Sequence, residues 1–185
     1  METKNTSQTL IETYKQKVIP NLNKKFNYKN IHEVPKLSKI QINRGLGLDA
    51  QNTSILNKTI GEIKSITGQQ PIVTKSKNSI ATFKLREDMN LGVTVTLRRE
   101  KLYAFFEKLI HLVLPRIRDF RGLSPNGFDR DGNYNFSLRE QLVFPEVNFE
   151  EIDKTRGLNI SIVTTAKTKE EGEALLREFG FPLTN

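Results

Sequence analysis

Apolar residues recur along this chain with two alternating periods. Leu10, Tyr14, Val18, Leu22 and Phe26 follow one another at four-residue steps, a single stripe of a helix. Thr9 and Glu12 match a capping box that would open it, and Pro20 is expected to kink or end it. From Leu37 to Asn43 the period drops to two. Ile40 and Ile42 then share one side, with Lys39, Gln41 and Asn43 on the other, as in a half-buried strand. Ile55, Leu56, Ile60, Ile63 and Ile66 restore a helical stripe across residues 53–67, closed by Gly68. After Pro71, Ile72 to Thr74 starts a strand, and Ile80 to Leu85 is a weaker candidate partner for it. Residues 92–98 are the cleanest strand, with Val93, Val95 and Leu97 pointing one way and Thr94, Thr96 and Arg98 the other.

A helix over residues 100–114 is apolar nearly all round, which predicts a core position, and Pro115 stops it. Residues 116–139 read as a long Gly-, Asn- and Arg-containing stretch, with a hairpin-type turn signal at Asp131-Gly132-Asn133. Leu158 to Thr165 reads as a strand. Thr168 and Glu171 form a second capping box, opening a last helix through Ala174, Leu175 and Phe179. Helices and strands mix without regular alternation or repeat. The expected fold class is therefore α+β: one domain over residues 1–185, with a mostly antiparallel sheet, helices packed on one face and the other face open.

Composition narrows the functions available. The net charge is +8, and it is unevenly spread: residues 1–139 carry 24 basic and 12 acidic side chains, residues 140–185 carry 5 and 9. A basic body suits a polyanionic partner, although charge alone fits a merely well-solvated protein equally well. With no Cys, thiolate chemistry and Cys-based metal sites are excluded, and two His argue against a His-rich metal centre. No apolar run approaches the roughly twenty residues of a membrane span, and no membrane partner is expected. The N-terminus resembles neither a secretory signal nor a transit peptide, so the protein is expected to work where it is made.

Catalytic chemistry finds little support. Gly45-Leu46-Gly47-Leu48-Asp49-Ala50 matches the dinucleotide fingerprint, but the next helix opens only near Thr53, too late to aim its N-terminus at a pyrophosphate. A tight turn after a strand is the better reading. His32 sits in a surface turn and His111 in an apolar helix, neither within a Ser-His or paired-carboxylate pattern. Glu150-Glu151-Ile152-Asp153 and Glu170-Glu171 read as solvated faces and helix starts. No enzyme, cofactor or metal site is expected.

Nucleic acid is better served. The non-core strand faces carry Lys39, Gln41 and Asn43 on one strand and Thr94, Thr96 and Arg98 on another, without a carboxylate. Such groups hydrogen-bond unpaired bases and sugars without repelling phosphate, although a solvent-facing sheet has a similar pattern. Lys75, Lys77 and Lys84 add charge in a polar loop, which reads as a phosphate contact or as an exposed hairpin. Arg116, Arg118 and Arg121 surround Phe120, an arrangement suited to stacking on RNA, or to an internal ion network through Asp119.

Several blocks carry a family resemblance. Ile63-Lys64-Ser65-Ile66-Thr67-Gly68-Gln69-Gln70-Pro71-Ile72-Val73-Thr74-Lys75-Ser76-Lys77-Asn78-Ser79 resembles the signature of large-ribosomal-subunit protein five, the 5S rRNA-binding protein, in its bacterial and plastid form. The likeness continues through Val95 to Arg98, Leu114 to Leu123, Gly132 to Tyr134, Arg139 to Gln141, Phe144 to Glu146 and Thr164 to Lys167, spanning essentially the whole chain in order.

The resemblance implies an antiparallel sheet binding 5S rRNA through its open face, in the central protuberance. It implies RNA contacts by Asn43, Gln69 and Thr96, with large-subunit rRNA among the neighbours. It also implies approach of the Lys75–Lys84 loop to the peptidyl-site transfer RNA, and a bridge from the Phe128–Tyr134 region to small-subunit protein thirteen. The chain departs from the family pattern at Arg130, where a second glycine is common, and at Asn78, where a second basic residue is frequent. Many Asn, Lys and Ile codons fit an AT-rich genome, so a plastid ribosome is the expected location, with a bacterial cytoplasm as the alternative.

Overall fold

The structure is a computed structural model that describes residues 6–148, 152 and 154–184. Its five strands are β1 (Leu37–Gly45), β2 (Ile72–Lys75), β3 (Asn90–Leu97), β4 (Tyr134–Leu138) and β5 (Leu158–Thr164). They make one open antiparallel sheet in the order β2-β3-β1-β5-β4. Five α-helices accompany it: α1 (Thr6–Thr13), α2 (Ile19–Phe26), α3 (Thr53–Thr67), α4 (Arg99–Lys108) and α5 (Lys169–Glu178). The chain divides into two compact units, neither of them continuous. One comprises Met1–Ile40, Arg98–Phe136 and Ser161–Asn185; the other comprises Gln41–Leu97 and Ser137–Ile160.

In the first unit, the amino-terminal helix begins at Thr6, so Thr9 lies inside it and is not its cap. Pro20 does not end the helix either. A π turn over Tyr14–Val18 joins α1 to α2, absorbing the ring that would otherwise strike the carbonyl of residue 16. The same device recurs before Pro115: α4 passes through a π turn at Leu109–Val113 into a 3-10 turn at Leu114–Arg116. Leu102, Phe105 and Phe106 of α4 are buried, but His111 and Leu112 in its π turn face solvent, so the helix is less enclosed than its composition predicts.

Aromatic rings knit this core. Phe106 meets Phe179 edge-on at 5.6 Å and stacks on Phe181 at 5.8 Å, and Phe181 meets Tyr134 at 5.5 Å. The Tyr14 hydroxyl donates to the Pro35 carbonyl at 3.1 Å, and that of Tyr134 donates to the Ser124 carbonyl at 2.8 Å. Burial pushes both phenols up from 10.0 to about 12. Tyr28 and Tyr103 are raised too, chiefly by burial. The folded state thus holds these protons more tightly than the unfolded chain. Their stabilising contribution is complete below pH 10 and is lost as pH rises towards about 12. The melting temperature is expected to fall across that window, with tyrosinate absorbance rising later than in the denatured chain. Coincident titrations of folded and denatured protein would refute this.

Residues 116–139 contain more order than a loop. β4 lies within them, and the turn before it is bound internally: Asp129 accepts from the Asn133 N–H at 2.7 Å and from the Asn133 amide at 2.8 Å. Thr164 of β5 donates its hydroxyl to the Gly132 carbonyl at 3.0 Å. Gly132 sits at φ +73°, and a Cβ on Gly172 of α5 would lie 2.3 Å from the Gly132 carbonyl, so the turn and the helix touch through two glycines. The Thr168 hydroxyl caps α5 by accepting from Glu171, whose carboxylate reaches back to the Lys167 N–H rather than to that of Thr168.

In the second unit, α3 opens at Asn52, whose side chain accepts from the Ser54 N–H at 3.0 Å, and closes at Gly68 with φ +64°. Its buried side presents Leu56, Ile63 and Ile66, while Ile42, Val93, Val95 and Leu97 are the buried residues of β1 and β3 in this unit. The partner of β2 is β3, in register Ile72↔Thr94 and Val73↔Val93, not residues 80–85. That segment instead forms a 3-10 turn at Ala81–Phe83, spanned by an isolated bridge between Ile80 and Leu85. The acidic run at residues 150, 151 and 153 lies outside the described residues.

Candidate nucleic-acid interface

The alternation of β1 and β3 decides which side chains face outward. Within the second unit, burying Ile42 and Arg44 on β1 leaves Gln41 exposed and Asn43 half-buried; burying Val93, Val95 and Leu97 leaves Thr94 and Thr96 half-buried on the opposite side of β3. Gln41 and Thr94 are held by each other and by the strand backbone. The Gln41 amide donates to the Thr94 hydroxyl at 3.5 Å, and that hydroxyl donates to the Ile42 carbonyl at 3.1 Å. The Gln69 amide, just beyond α3, donates to the Thr96 carbonyl at 3.0 Å, while the Gln69 N–H donates to the Thr67 hydroxyl at 3.3 Å. Asn43, Gln69 and Thr96 thus all reach solvent, and Gln69 is fixed at both its main chain and its side chain.

The strands approach closely because β3 has Gly92 opposite Thr74. A Cβ there would fall 2.4 Å from the Arg44 carbonyl and 3.3 Å from the Thr74 hydroxyl. Arg44 itself is 1% exposed and ion-paired to Glu62 of α3, with which it hydrogen-bonds. A charge at that phase of the strand requires such a partner, since burying it alone would be costly. This contact ties β1 to α3 at the residue following Asn43.

Lys75 at the end of β2 and Lys77 and Lys84 in the segment after it are all exposed. The loop is internally bonded: Ser76 is buried, its N–H donating to Met89 and its hydroxyl to Asn78, each at 2.8 Å. Asp88 stands 3.9 Å from Lys75, so part of the charge is offset from the strand side. Phe83, 65% exposed at the 3-10 turn, is a flat apolar group beside Lys84 that the sequence pattern did not single out.

The remaining predicted residues belong to the first unit. Lys39 is half-buried on the early part of β1. Arg98 is exposed but lies one residue past β3, at the N-cap of α4, and not on the strand face. Arg116, Arg118 and Arg121 are exposed after α4, and among the described residues none forms an ion pair with Asp119. Their loop is strapped by the chain end. The Leu123 N–H donates to Pro182, and the Thr184 N–H donates to Leu123, each at 2.9 Å. The sequence also passed over Asn135 and Ser137 of β4 and Asn159 of β5, exposed uncharged groups whose signal was the same period-two alternation. The Gly45–Ala50 run becomes a 3-10 turn over Gly47–Gln51, ahead of α3 and not at its N-terminus. No described helix is long and apolar enough to cross a membrane.

These features define an α+β protein organised around one open antiparallel sheet. Comparison with known proteins gives its family. Residues 30–86 match the family described as "Ribosomal protein L5", and residues 90–183 match the family model for the C-terminus of the same ribosomal proteins. A Heterosigma akashiwo protein named large ribosomal subunit protein uL5c is 64% identical, over 95% of this chain and 97% of its own length. The protein of that name from Pyropia yezoensis is 59% identical, over 94% and 96%. Large ribosomal subunit protein uL5 of a Picosynechococcus strain is 54% identical, over 95% and 97%. The chain belongs to the ribosomal protein L5 family. It is a structural constituent of the ribosome, not an enzyme.

Proposed function

We propose that this protein binds 5S rRNA through the open face of its sheet and helps to attach that RNA in the central protuberance of the large subunit. The observation that carries this reading is the outward set of Gln41, Asn43, Gln69, Thr94 and Thr96, all uncharged and capable of hydrogen bonding, with Gln41 bonded to Thr94 and Gln69 to the Thr96 carbonyl. Such a set matches the base edges and 2′-hydroxyls of a folded, partly unpaired RNA, whereas a carboxylate there would repel phosphate. Asn43, Gln69 and Thr96 make the selective contacts. Lys39, Arg98, Arg116, Arg118 and Arg121 supply attraction to 5S rRNA and to neighbouring large-subunit rRNA through counterion release.

The loop carrying Lys75, Lys77 and Lys84 approaches the peptidyl-site transfer RNA, with Phe83 as a surface for stacking against it. The internally bonded turn at residues 128–134 faces small-subunit protein thirteen. The ribosome is that of a plastid, as the names of the algal relatives suggest; the similarity to cyanobacterial proteins fits a bacterial cytoplasm as the alternative.

A filter-binding titration of 5S rRNA against an unrelated hairpin, at several salt concentrations, tests the reading. Selective binding to 5S rRNA is expected. Lys39→Gln and Arg118→Gln are each expected to reduce the slope of log K against log salt for 5S rRNA by about 1, while leaving selectivity intact. Equal affinity of the unaltered protein for both RNAs would overturn it.

A further inference from the structure

We propose that Ile72 is a specificity-determining contact on this face, packing its side chain against the ribose or base of an unpaired nucleotide; the inference rests on the RNA-binding reading above. Ile72 opens β2 and lies directly opposite Thr94 in the antiparallel register. Residues so paired project from the same side of a sheet, with Cβ atoms about 4.5–5.5 Å apart. Ile72 therefore shares the face of Gln41 and Thr94, and Thr96 is its diagonal neighbour, at roughly 7–8 Å.

Its surroundings set it apart. Ile72 is 70% exposed, while Gln41, Asn43, Thr74, Thr94 and Thr96 around it are all polar. Its apolar surface contributes little to the protein's own core, so it is available to a partner. Hydrogen-bonding groups alone orient a nucleotide but leave the C–H edges of sugar and base wet. A branched aliphatic group beside them removes that water, and the gain depends on the nucleotide being unpaired and splayed onto the sheet. A duplex presents phosphates first and gives Ile72 nothing to cover. The contact is thus selective without being electrostatic.

This last property makes it testable apart from its neighbours. Thr has the same branching and a good strand propensity, so Ile72→Thr should leave the melting temperature unchanged. In a titration of the full chain with 5S rRNA, this variant is expected to lose about tenfold in affinity, consistent with two methyl-sized groups left unburied. The slope of log K against log salt should not change, because no phosphate contact is removed. Binding to an unrelated duplex hairpin should be unaffected, and Ile72→Val, which lacks one of the two groups, should lose only about threefold. Unchanged affinity of Ile72→Thr for 5S rRNA, while the unaltered protein still discriminates, overturns the proposal alone. So does an equal loss on both RNAs. Failure of the unaltered protein to discriminate removes the parent reading and this one with it.

Discussion

Replacing Asn43 by Ala, Gln69 by Ala and Thr96 by Val in one chain is expected to lower affinity for 5S rRNA by a few hundredfold, with little change in affinity for an unrelated hairpin. Each lost hydrogen bond is worth about 1–1.5 kcal/mol, and three of them give roughly 3–4 kcal/mol. Among single changes, Gln69→Ala should be the most damaging. Its amide donates to the Thr96 carbonyl at 3.0 Å, so its removal takes a partner from that carbonyl as well as deleting a contact. Thr96→Val keeps the branching that suits β3 and isolates the hydroxyl. The salt dependence should not move, since none of the three is charged. A triple variant that loses affinity equally for both RNAs would show that these side chains do not select.

The second large effect concerns stability. Gly172→Ala is expected to destabilise the protein by about 3 kcal/mol, at the upper end of overpacking costs, which corresponds to a melting-temperature drop of roughly 6–12 °C. The added methyl would meet the Gly132 carbonyl at 2.3 Å and its Cα at 2.7 Å, both backbone atoms of a turn already held by Asp129 and Thr164. The contact cannot be relieved by a rotamer change. The same chemical change at Gly61, mid-way along α3, should have the opposite sign. Nothing lies within 4 Å of a Cβ there, so Gly61→Ala is expected to stabilise by about 0.5–1 kcal/mol through helix propensity alone. Calorimetry on both variants checks the pair. A Gly172→Ala protein that melts normally would mean the turn and α5 are not in contact.

Local periodicity is legible wherever one face of an element is buried and the other is wet. The stripe Leu56, Ile63, Ile66 ended by Gly68, the alternation of Val93, Val95 and Leu97, and the Thr168 cap each follow from side-chain geometry within one element. Asn43 and Thr96 are legible for the same reason, as the polar phase of a half-buried strand. Arg44 was overlooked although it continues the phase of Ile40 and Ile42; its partner, Glu62, is eighteen residues away on another element. The sequence marks a hairpin-type turn at Asp131-Gly132-Asn133 but no strand after it, because five residues bracketed by Gly, Asn and Arg carry little local signal, and β4 gains its ladder from β5.

From the order of residues alone came the fold class, most element boundaries, and a polar strand face without acids, since each depends on neighbours within a few positions. Tertiary packing settled the rest: that β2 pairs with β3 instead of folding back on residues 80–85, that Gly132 and Gly172 meet, that the chain end straps the arginine loop, and that Ile72 stands open beside Thr94. Those are choices among distant partners. Pairings across tens of residues are fixed by steric fit and by the closing of many contacts together, and a short window of sequence holds no record of either.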